Sequence, residues 1–214
     1  MLKIKTIACN MLEENCYIVS DETKECVIID CGAYYDKDKK AISDYIKEEQ
    51  LLPKHLLGTH AHIDHQLGNG MIYASYGLKP EVPEADKELM NMLPLQANTL
   101  LGIELNDEMP QVERWLHESD TIAFGHHQLK VIHTPGHTKG SVIFYCEEED
   151  VAFSGDTLFQ GSIGRTDLPG GSMFEMMQSL RLISQLPDSV VVYSGHGPTT
   201  TIGYELAHNP YMDR

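Results

Sequence analysis

Seven consecutive residues restrict this chain more than any other part of its sequence: Thr59-His60-Ala61-His62-Ile63-Asp64-His65. On a continuous helix, His60 and His62 would point to different sides and could not bind the same ion. In an extended segment they lie on the same side, and a tightening turn can then bring Asp64 and His65 to a second ion. Imidazole nitrogens and a carboxylate suit Zn or Fe. The segment therefore predicts a metal centre; the other interpretation is a hydrogen-bonded turn of four polar residues.

Three further residues of ligand type each follow a predicted apolar strand. They are His137, Asp156 and His196, and a glycine precedes each of them. Taken alone, each is a residue that commonly occupies a turn or loop. Together with the histidine segment they indicate one site, because functional residues tend to lie on loops that a rigid sheet holds in place.

Length and charge exclude several classes of protein. The 214 residues are the length of one ordinary domain, and we predict a single domain over 1–214. The formal net charge of -16 repels phosphate backbones, so we expect no nucleic-acid partner. No apolar run of about 18 residues and no secretory signal is visible, so we expect no membrane partner and a cytoplasmic location. The five cysteines contain no Cys-x-x-Cys pair and are predicted to be buried thiols.

Predicted strands fall into two clusters, with helices between and after them. The strands are 3–7, 15–20, 26–30, 55–59, 121–124, 128–134, 141–146, 151–154 and 190–194, and the helices are 36–50, 71–76, 172–186 and 201–207. This arrangement favours an α+β fold of two sheets covered outside by helices. Pro83, Pro94 and Pro110 divide residues 81–118 into short helical pieces, an insertion that could be a lid, a dimer face or a cover for the core.

These motifs together resemble the metallo-β-lactamase-fold hydrolase superfamily. Its seven usual ligand positions are matched in order by His60, His62, Asp64, His65, His137, Asp156 and His196. The resemblance implies a four-layer αββα sandwich, with two mixed β-sheets, helices outside and the metals at one rim of the sheets. It also implies two divalent ions, Zn²⁺ or else Fe or Mn. One ion would be held by His60, His62 and His137, the second by Asp64, His65 and His196, and Asp156 would bridge them.

Within the superfamily, the sequence is most similar to the compact bacterial type II glyoxalases, the hydroxyacylglutathione hydrolases. The similarity lies in Gly155-Asp156-Thr157-Leu158-Phe159, Gly161-Ser162-Ile163-Gly164-Arg165-Thr166-Asp167, Gly195-His196-Gly197-Pro198 and Asn209-Pro210-Tyr211. Flavodiiron oxidoreductases carry Glu where this chain has His62, and true β-lactamases generally lack a bridging carboxylate such as Asp156. RNA nucleases of the superfamily bring extra domains or an exosite.

The resemblance implies a dinuclear zinc thioester hydrolase that uses a metal-bound hydroxide. Asp156 would hold both ions, and Asp64 would orient the water or accept its proton. Arg165 and Lys139 are the candidate substrate-binding residues, although Arg165 could instead be a surface arginine paired with Asp167. The expected partner is a small-molecule thioester, and the chain would be a monomer or a homodimer. The larger glyoxalases II bind glutathione through a C-terminal helical domain, for which this chain has no room after His196.

The sequence leaves open two alternative functions and the role of one supporting residue. A mononuclear iron persulfide dioxygenase of the same fold would share the Gly164–Asp167 motif and hold its iron through His60, His137 and Asp156. A non-enzymatic metal site is the other alternative, although closed structural zinc sites take four ligands rather than seven. Asp30, at the end of a predicted strand, could hydrogen-bond a ligand histidine or simply close a turn.

Overall fold

The computed structural model describes residues 1–105 and 109–212, and its first large sheet is built from the N-terminal half. Its six strands, in spatial order, are β1 (Lys3–Cys9), β2 (Glu14–Ser20), β3 (Glu25–Ile29), β4 (Leu52–Leu57), β5 (Pro80–Pro83) and β6 (Arg114–Leu116). The pairs from β1 to β3 are antiparallel and those from β3 to β6 are parallel. Helix α1 (Asp36–Glu48) makes the crossover from β3 to β4.

The second large sheet is built from the C-terminal half. In chain order its first strands are β7 (Thr121–Phe124), β8 (His127–His133), β9 (Val142–Cys146) and β10 (Val151–Gly155). A separate hairpin of β11 (Leu158–Phe159) and β12 (Ser162–Ile163) follows, and β13 (Val191–Ser194) and β14 (Thr200–Thr201) complete the sheet. The spatial order is β14-β13-β10-β9-β8-β7, and the β10–β13 pair is parallel. These two strands therefore end at the same edge of the sheet.

Residues 1–105 and 109–212 contain five further α-helices. They are α2 (Asn69–Tyr76), α3 (Lys87–Asn91), α4 (Leu93–Gln96), α5 (Met173–Ile183) and α6 (Ile202–His208). A π-helical turn, Ala97–Leu101, extends α4. The start of α5 is set by Ser172, whose hydroxyl accepts a hydrogen bond from the Glu175 backbone N–H.

The two sheets pack face to face, and helices cover both outer faces. Alternate residues along β2 show this division, since Tyr17 and Val19 contact the second sheet while Ile18 contacts the helix side. Three clusters fill the spaces between layers. The first cluster joins the two sheets and includes Tyr17, Val27, Leu129, Phe144 and Phe153. The second packs α1 and α2 against Ile18, Ile28 and Leu56 of the first sheet. The third packs α5 and α6 against Ile143, Ala152 and Val192 of the second sheet. The predicted α+β, αββα architecture is confirmed.

Most predicted elements are present, but the prediction for residues 81–118 was wrong at both ends. Short helical pieces do occupy its middle, whereas Pro80–Pro83 and Arg114–Leu116 are strands that extend the first sheet. These strands are only four and three residues long, so their sequences do not show the alternation of apolar and polar residues that predicts a strand. Strand β4 also starts earlier than predicted, and its Pro53 lies at the register shift opposite Cys26, where a strand tolerates proline.

Two smaller expectations can also be compared with the structure. The five cysteines are all buried and form no disulfide. None of the helices in residues 1–105 and 109–212 combines the length and apolar character that crossing a bilayer requires.

His127, at the start of β8, links the stability of the fold to pH. Its buried ring lies with Nδ1 3.0 Å from Asp21 Oδ2 and Nε2 2.9 Å from Glu149 Oε1. Burial lowers the pKa of His127, but the hydrogen bonds to Asp21 and Glu149 outweigh burial and raise this pKa above its ordinary value. A histidine pKa that is raised in the folded state adds stability below the unfolded pKa, and this stability is lost as pH rises through the folded pKa.

We therefore expect His127→Gln to lower the free energy of unfolding by about 1.5–3 kcal/mol at pH 6. The difference in the free energy of unfolding between the variant and the unsubstituted protein should be smaller at pH 8.5. Urea unfolding of both proteins at the two pH values measures this difference. His126→Gln is the matched control, because His126 is the exposed neighbour and only its backbone N–H contacts Asp21. A difference that stays constant between the two pH values would refute this assignment.

Candidate metal centre

The histidine segment follows β4 and changes from extended chain to a tight turn. His62 has extended backbone angles (φ -77°, ψ 146°), and a single helical turn, Ile63–His65, begins directly after it. This is the change of conformation that the sequence predicts. It directs His60 and His62 to one group of side chains and Asp64 and His65 to another.

The second sheet supplies the other three side chains. His137 follows β8, while Asp156 and His196 lie directly beyond the ends of the parallel strands β10 and β13. Gly155, the last residue of β10, has to be a glycine. Its φ is +48°, and a Cβ there would lie 2.2 Å from the Thr59 hydroxyl.

The structure brings all seven predicted side chains together at one rim of the sandwich. Their ligand atoms form one group of His60, His62 and His137 and a second of Asp64, His65 and His196, each within 4.8 Å. In the first group, His62 Nδ1 is 2.8 Å from His137 Nε2. In the second group, Asp64 Oδ2 is 3.3 Å from His196 Nε2 and 3.6 Å from His65 Nε2.

Asp156 lies between the two groups. Its Oδ2 is 3.5 Å from His137 Nε2 and 3.7 Å from His196 Nε2, and its Oδ1 is 3.5 Å from His65 Nε2. One carboxylate therefore faces histidines of both groups. A carboxylate in this position would be able to hold an ion at either group.

Buried polar atoms in this cluster show that the residues fit a metal. Of the five buried side-chain atoms without a hydrogen-bond partner among the described residues, three belong to this cluster: His60 Nε2, His65 Nε2 and Asp156 Oδ1. Such atoms are rare in native proteins, because each costs about 1–3 kcal/mol. All three point into the cluster with the nitrogen and oxygen donors that divalent metals accept.

The electrostatics of the two groups differ. Burial and the neighbouring histidines lower the pKa of His60 well below its ordinary value, and burial and His137 lower that of His62 to about 3. Both rings are thus neutral at pH 7, the state in which imidazole binds a metal. Burial lowers the pKa of His65, but Asp64, Asp156 and Asp30 outweigh it and raise this pKa to about 10. The same carboxylates favour any cation at this position.

Four of the five histidines in the cluster have a hydrogen-bond partner at the ring nitrogen that faces away from it, and the partner of His60 Nδ1 is the Thr59 hydroxyl at 3.0 Å. His65 Nδ1 is 3.1 Å from Asp30 Oδ2, His137 Nδ1 donates to the Arg165 carbonyl at 2.7 Å, and His196 Nδ1 is 3.1 Å from the Leu12 carbonyl. Such contacts fix the ring and its tautomer. Of the two roles considered for Asp30, the structure shows the hydrogen bond to a ligand histidine.

The two candidate substrate-binding residues lie near the centre without touching it. The Arg165 side chain is exposed and makes two 2.7 Å hydrogen bonds to Asp167, the surface pairing that the sequence left open. It still lines the cavity over the centre. Lys139 is exposed and lines a second cavity, to which His62 also contributes.

Sequence reasoning missed the side chains that hold the ligand loops in place. Asp86 is the main one, since its carboxylate accepts hydrogen bonds from Ala61 N at 3.0 Å, Thr138 Oγ1 at 2.7 Å and Gly140 N at 2.7 Å. It therefore ties the His60 loop to the His137 loop. No spacing rule could identify it, because it lies 25 residues from Ala61 and 52 from Thr138.

Three amides support the loops in the same way. Gln96 accepts from Ile63 N and donates to the Ala61 carbonyl, both at 3.1 Å. Asn10 donates to the Asp64 carbonyl at 2.9 Å, and Asn15 donates to the carbonyls of Ser194 and Gly197, which flank His196. All three amides are buried.

Comparison with known proteins agrees with this centre. Residues 10–196 match the family model of the metallo-beta-lactamase superfamily. Hydroxyacylglutathione hydrolase GloC of Haemophilus influenzae is 34% identical, over 99% of this chain and 99% of its own length. The crystal structure of BLEG-1 B3 metallo-beta-lactamase is 36% identical, with a TM-score of 0.88 over 98% of this chain and 99% of that one. The crystal structure of TTHA1623 in a di-iron-bound form is 33% identical, with a TM-score of 0.87 over 97% of this chain and 100% of that one.

The fold and the His/Asp cluster define a metal-binding hydrolase with an αββα sandwich. The chain belongs to the metallo-beta-lactamase superfamily. The resemblance that the sequence motifs suggested is thereby confirmed, as is metal binding by the His/Asp cluster.

Proposed function

We propose that this protein is a dinuclear thioester hydrolase of the glyoxalase II type. The observation that carries the proposal is the position of Asp156 between two complete groups of ligand atoms, beneath a cavity of about 520 Å³. The relative from Haemophilus influenzae, named a hydroxyacylglutathione hydrolase, supports the substrate class.

In this proposal His60, His62 and His137 hold one ion, Asp64, His65 and His196 the other, and Asp156 both. Two divalent ions held by these residues would lower the pKa of a bound water towards neutrality and polarise a carbonyl oxygen. We propose zinc, and the di-iron form of TTHA1623 supports iron as the alternative.

Asp64 is the proposed catalytic carboxylate besides Asp156. Burial raises the pKa of Asp64, but His65 and His196 outweigh burial and hold this pKa below its usual range, so the group is ionised at neutral pH. Its Oδ2 faces the cavity between those rings. From there it can accept a hydrogen bond from the attacking water and orient it towards the substrate carbonyl.

The walls of this cavity and the chemistry of the leaving group both favour a thioester substrate. Besides the proposed ligands, its walls are mainly apolar, with Leu12, Phe159 and Leu168 among them. Among the described residues that line it, Arg165 is the one cation, and its guanidinium donates to Asp167. A thiol has a pKa near 8.5, so a thiolate can leave without a proton donor, whereas an amine cannot leave easily in that way. We propose that Arg165 and Lys139 contact the substrate outside the reacting bond.

The test is to assay one preparation of known metal content on several substrates. We expect hydrolysis of lactoylglutathione or of a simple acyl thioester, followed through the released thiol, with two ions per chain. Hydrolysis of a β-lactam in the absence of thioester turnover would refute the proposal, as would no turnover of any thioester by the fully metallated protein.

A mononuclear iron persulfide dioxygenase remains the second candidate. The Gly164–Asp167 segment favours it, and its iron would be held by His60, His137 and Asp156. The complete second group of Asp64, His65 and His196 argues for the hydrolase instead. Oxygen uptake with glutathione persulfide and one iron per chain would establish the dioxygenase.

A further inference from the structure

A second cavity adjoins the metal centre and is not used by the chemistry described above. It has a volume of about 330 Å³, within the usual range for ligand pockets. One wall comes from the helical segment 85–100 and the other from residues 168–170. His62, Leu100 and Leu168 line both this cavity and the one over the centre, so the two adjoin at these side chains.

The wall contributed by the helical segment is apolar and open. Met92, Leu95 and Leu100 are 42%, 53% and 52% exposed, although each lines the cavity. On the other side of the segment, Leu93 and Ala97 are buried against Ile63 and Leu67. The segment is thus fixed to the ligand loop by one face and presents apolar side chains with the other, where an apolar ligand would remove them from water.

Charge argues that the cavity takes a neutral group. Among the described residues that line it, Lys139 is the one basic side chain, and Glu88 is exposed on the same cavity. The Asp86 carboxylate is occupied by its three hydrogen bonds. The described lining therefore lacks the set of cations that the carboxylates of glutathione would need, whereas Met92, Leu95 and Leu100 offer apolar contacts to a hydrocarbon chain.

We propose that this cavity, the acyl pocket, binds the acyl chain of the substrate, and that this chain is apolar and about six to ten carbons long. The proposal rests on the thioester hydrolase function and names its substrate class. The length follows from the volume, since 330 Å³ holds about ten groups the size of a water molecule, roughly 30 Å³ each. Because the two cavities adjoin at His62, a chain in the acyl pocket would place its carbonyl at the metal centre.

The experiment is a chain-length series on one neutral carrier. Acetyl, butyryl, hexanoyl and octanoyl thioesters of N-acetylcysteamine are assayed with the metallated protein, and binding of the non-hydrolysable S-octyl thioether is measured by calorimetry. We expect kcat/KM to rise roughly tenfold for each two carbons added until the pocket is filled. Leu95→Ser should reduce the ratio of octanoyl to acetyl turnover by about tenfold and weaken binding of the thioether.

Leu182→Ser is the matched control, because Leu182 on α5 is 51% exposed but does not line the pocket. It should leave the octanoyl-to-acetyl ratio unchanged. Turnover that does not depend on chain length would overturn the acyl pocket while the hydrolase function stands. Absence of all thioester turnover would refute the function, and the thioether measurement would then test the pocket alone. A dimer that Leu95→Ser dissociates, with an unchanged chain-length preference, would show that a second copy covers this surface and would also overturn the proposal.

Discussion

Asp156→Asn is expected to lower hydrolysis by more than about 100-fold, the upper limit typical of residues that only support a metal ligand. The substitution keeps the size of the side chain but removes the charge that faces His65, His137 and His196. Because this carboxylate contacts both groups, we also expect fewer than two ions per chain after dialysis. Elemental analysis and thiol release from an acetyl thioester measure the two effects.

Asp44→Asn is the control for general effects of removing an aspartate. Asp44 is half-buried on α1 and pairs with Lys40 there. This variant should retain its metal and its activity. A folded Asp156→Asn protein without turnover would also exclude a purely non-enzymatic role, whereas unchanged metal content and unchanged hydrolysis would contradict the bridging position.

Asp86→Asn is expected to weaken metal binding by about 10–100-fold although Asp86 is not among the proposed ligands. Its carboxylate accepts from two backbone N–H groups and one hydroxyl. An amide has one oxygen, so its NH₂ group must face at least one of these donors. The His60 and His137 loops would then separate, and we expect the free energy of unfolding to fall by about 1–3 kcal/mol as well.

Asp21→Asn separates these two effects. Asp21 is also buried and also accepts backbone N–H groups, from Thr23 and His126, but it belongs to the β7–β8 end of the fold. We expect it to lose a similar amount of stability and to bind metal as the unsubstituted protein does. Competition with a chelator of known affinity measures the metal affinity of both variants and of the unsubstituted protein. Equal metal affinity in Asp86→Asn and in the unsubstituted protein would show that Asp86 does not position the centre.

The sequence alone predicted the two-sheet fold and the seven residues that the structure brings together. The reason lies in local geometry. The i, i+2 spacing of His60 and His62 places both side chains on one side once the segment is extended, and a glycine at or shortly after the end of each strand precedes a residue at the rim. His137, Asp156 and His196 could be found because strand, glycine and ligand type recur together in the chain.

Tertiary structure alone decided how the centre is supported and what lies beside it. Asp86 and Gln96 act on loops that are distant in sequence, and no short-range pattern distinguishes them from ordinary polar residues. Strands β5 and β6 are too short to show a period, and they form because β4 offers β5 a parallel neighbour and β5 in turn offers one to β6. The open face of Met92, Leu95 and Leu100 depends on Leu93 and Ala97 being buried opposite. Local spacing sets the direction of side chains, but contacts between distant segments form only when the layers pack.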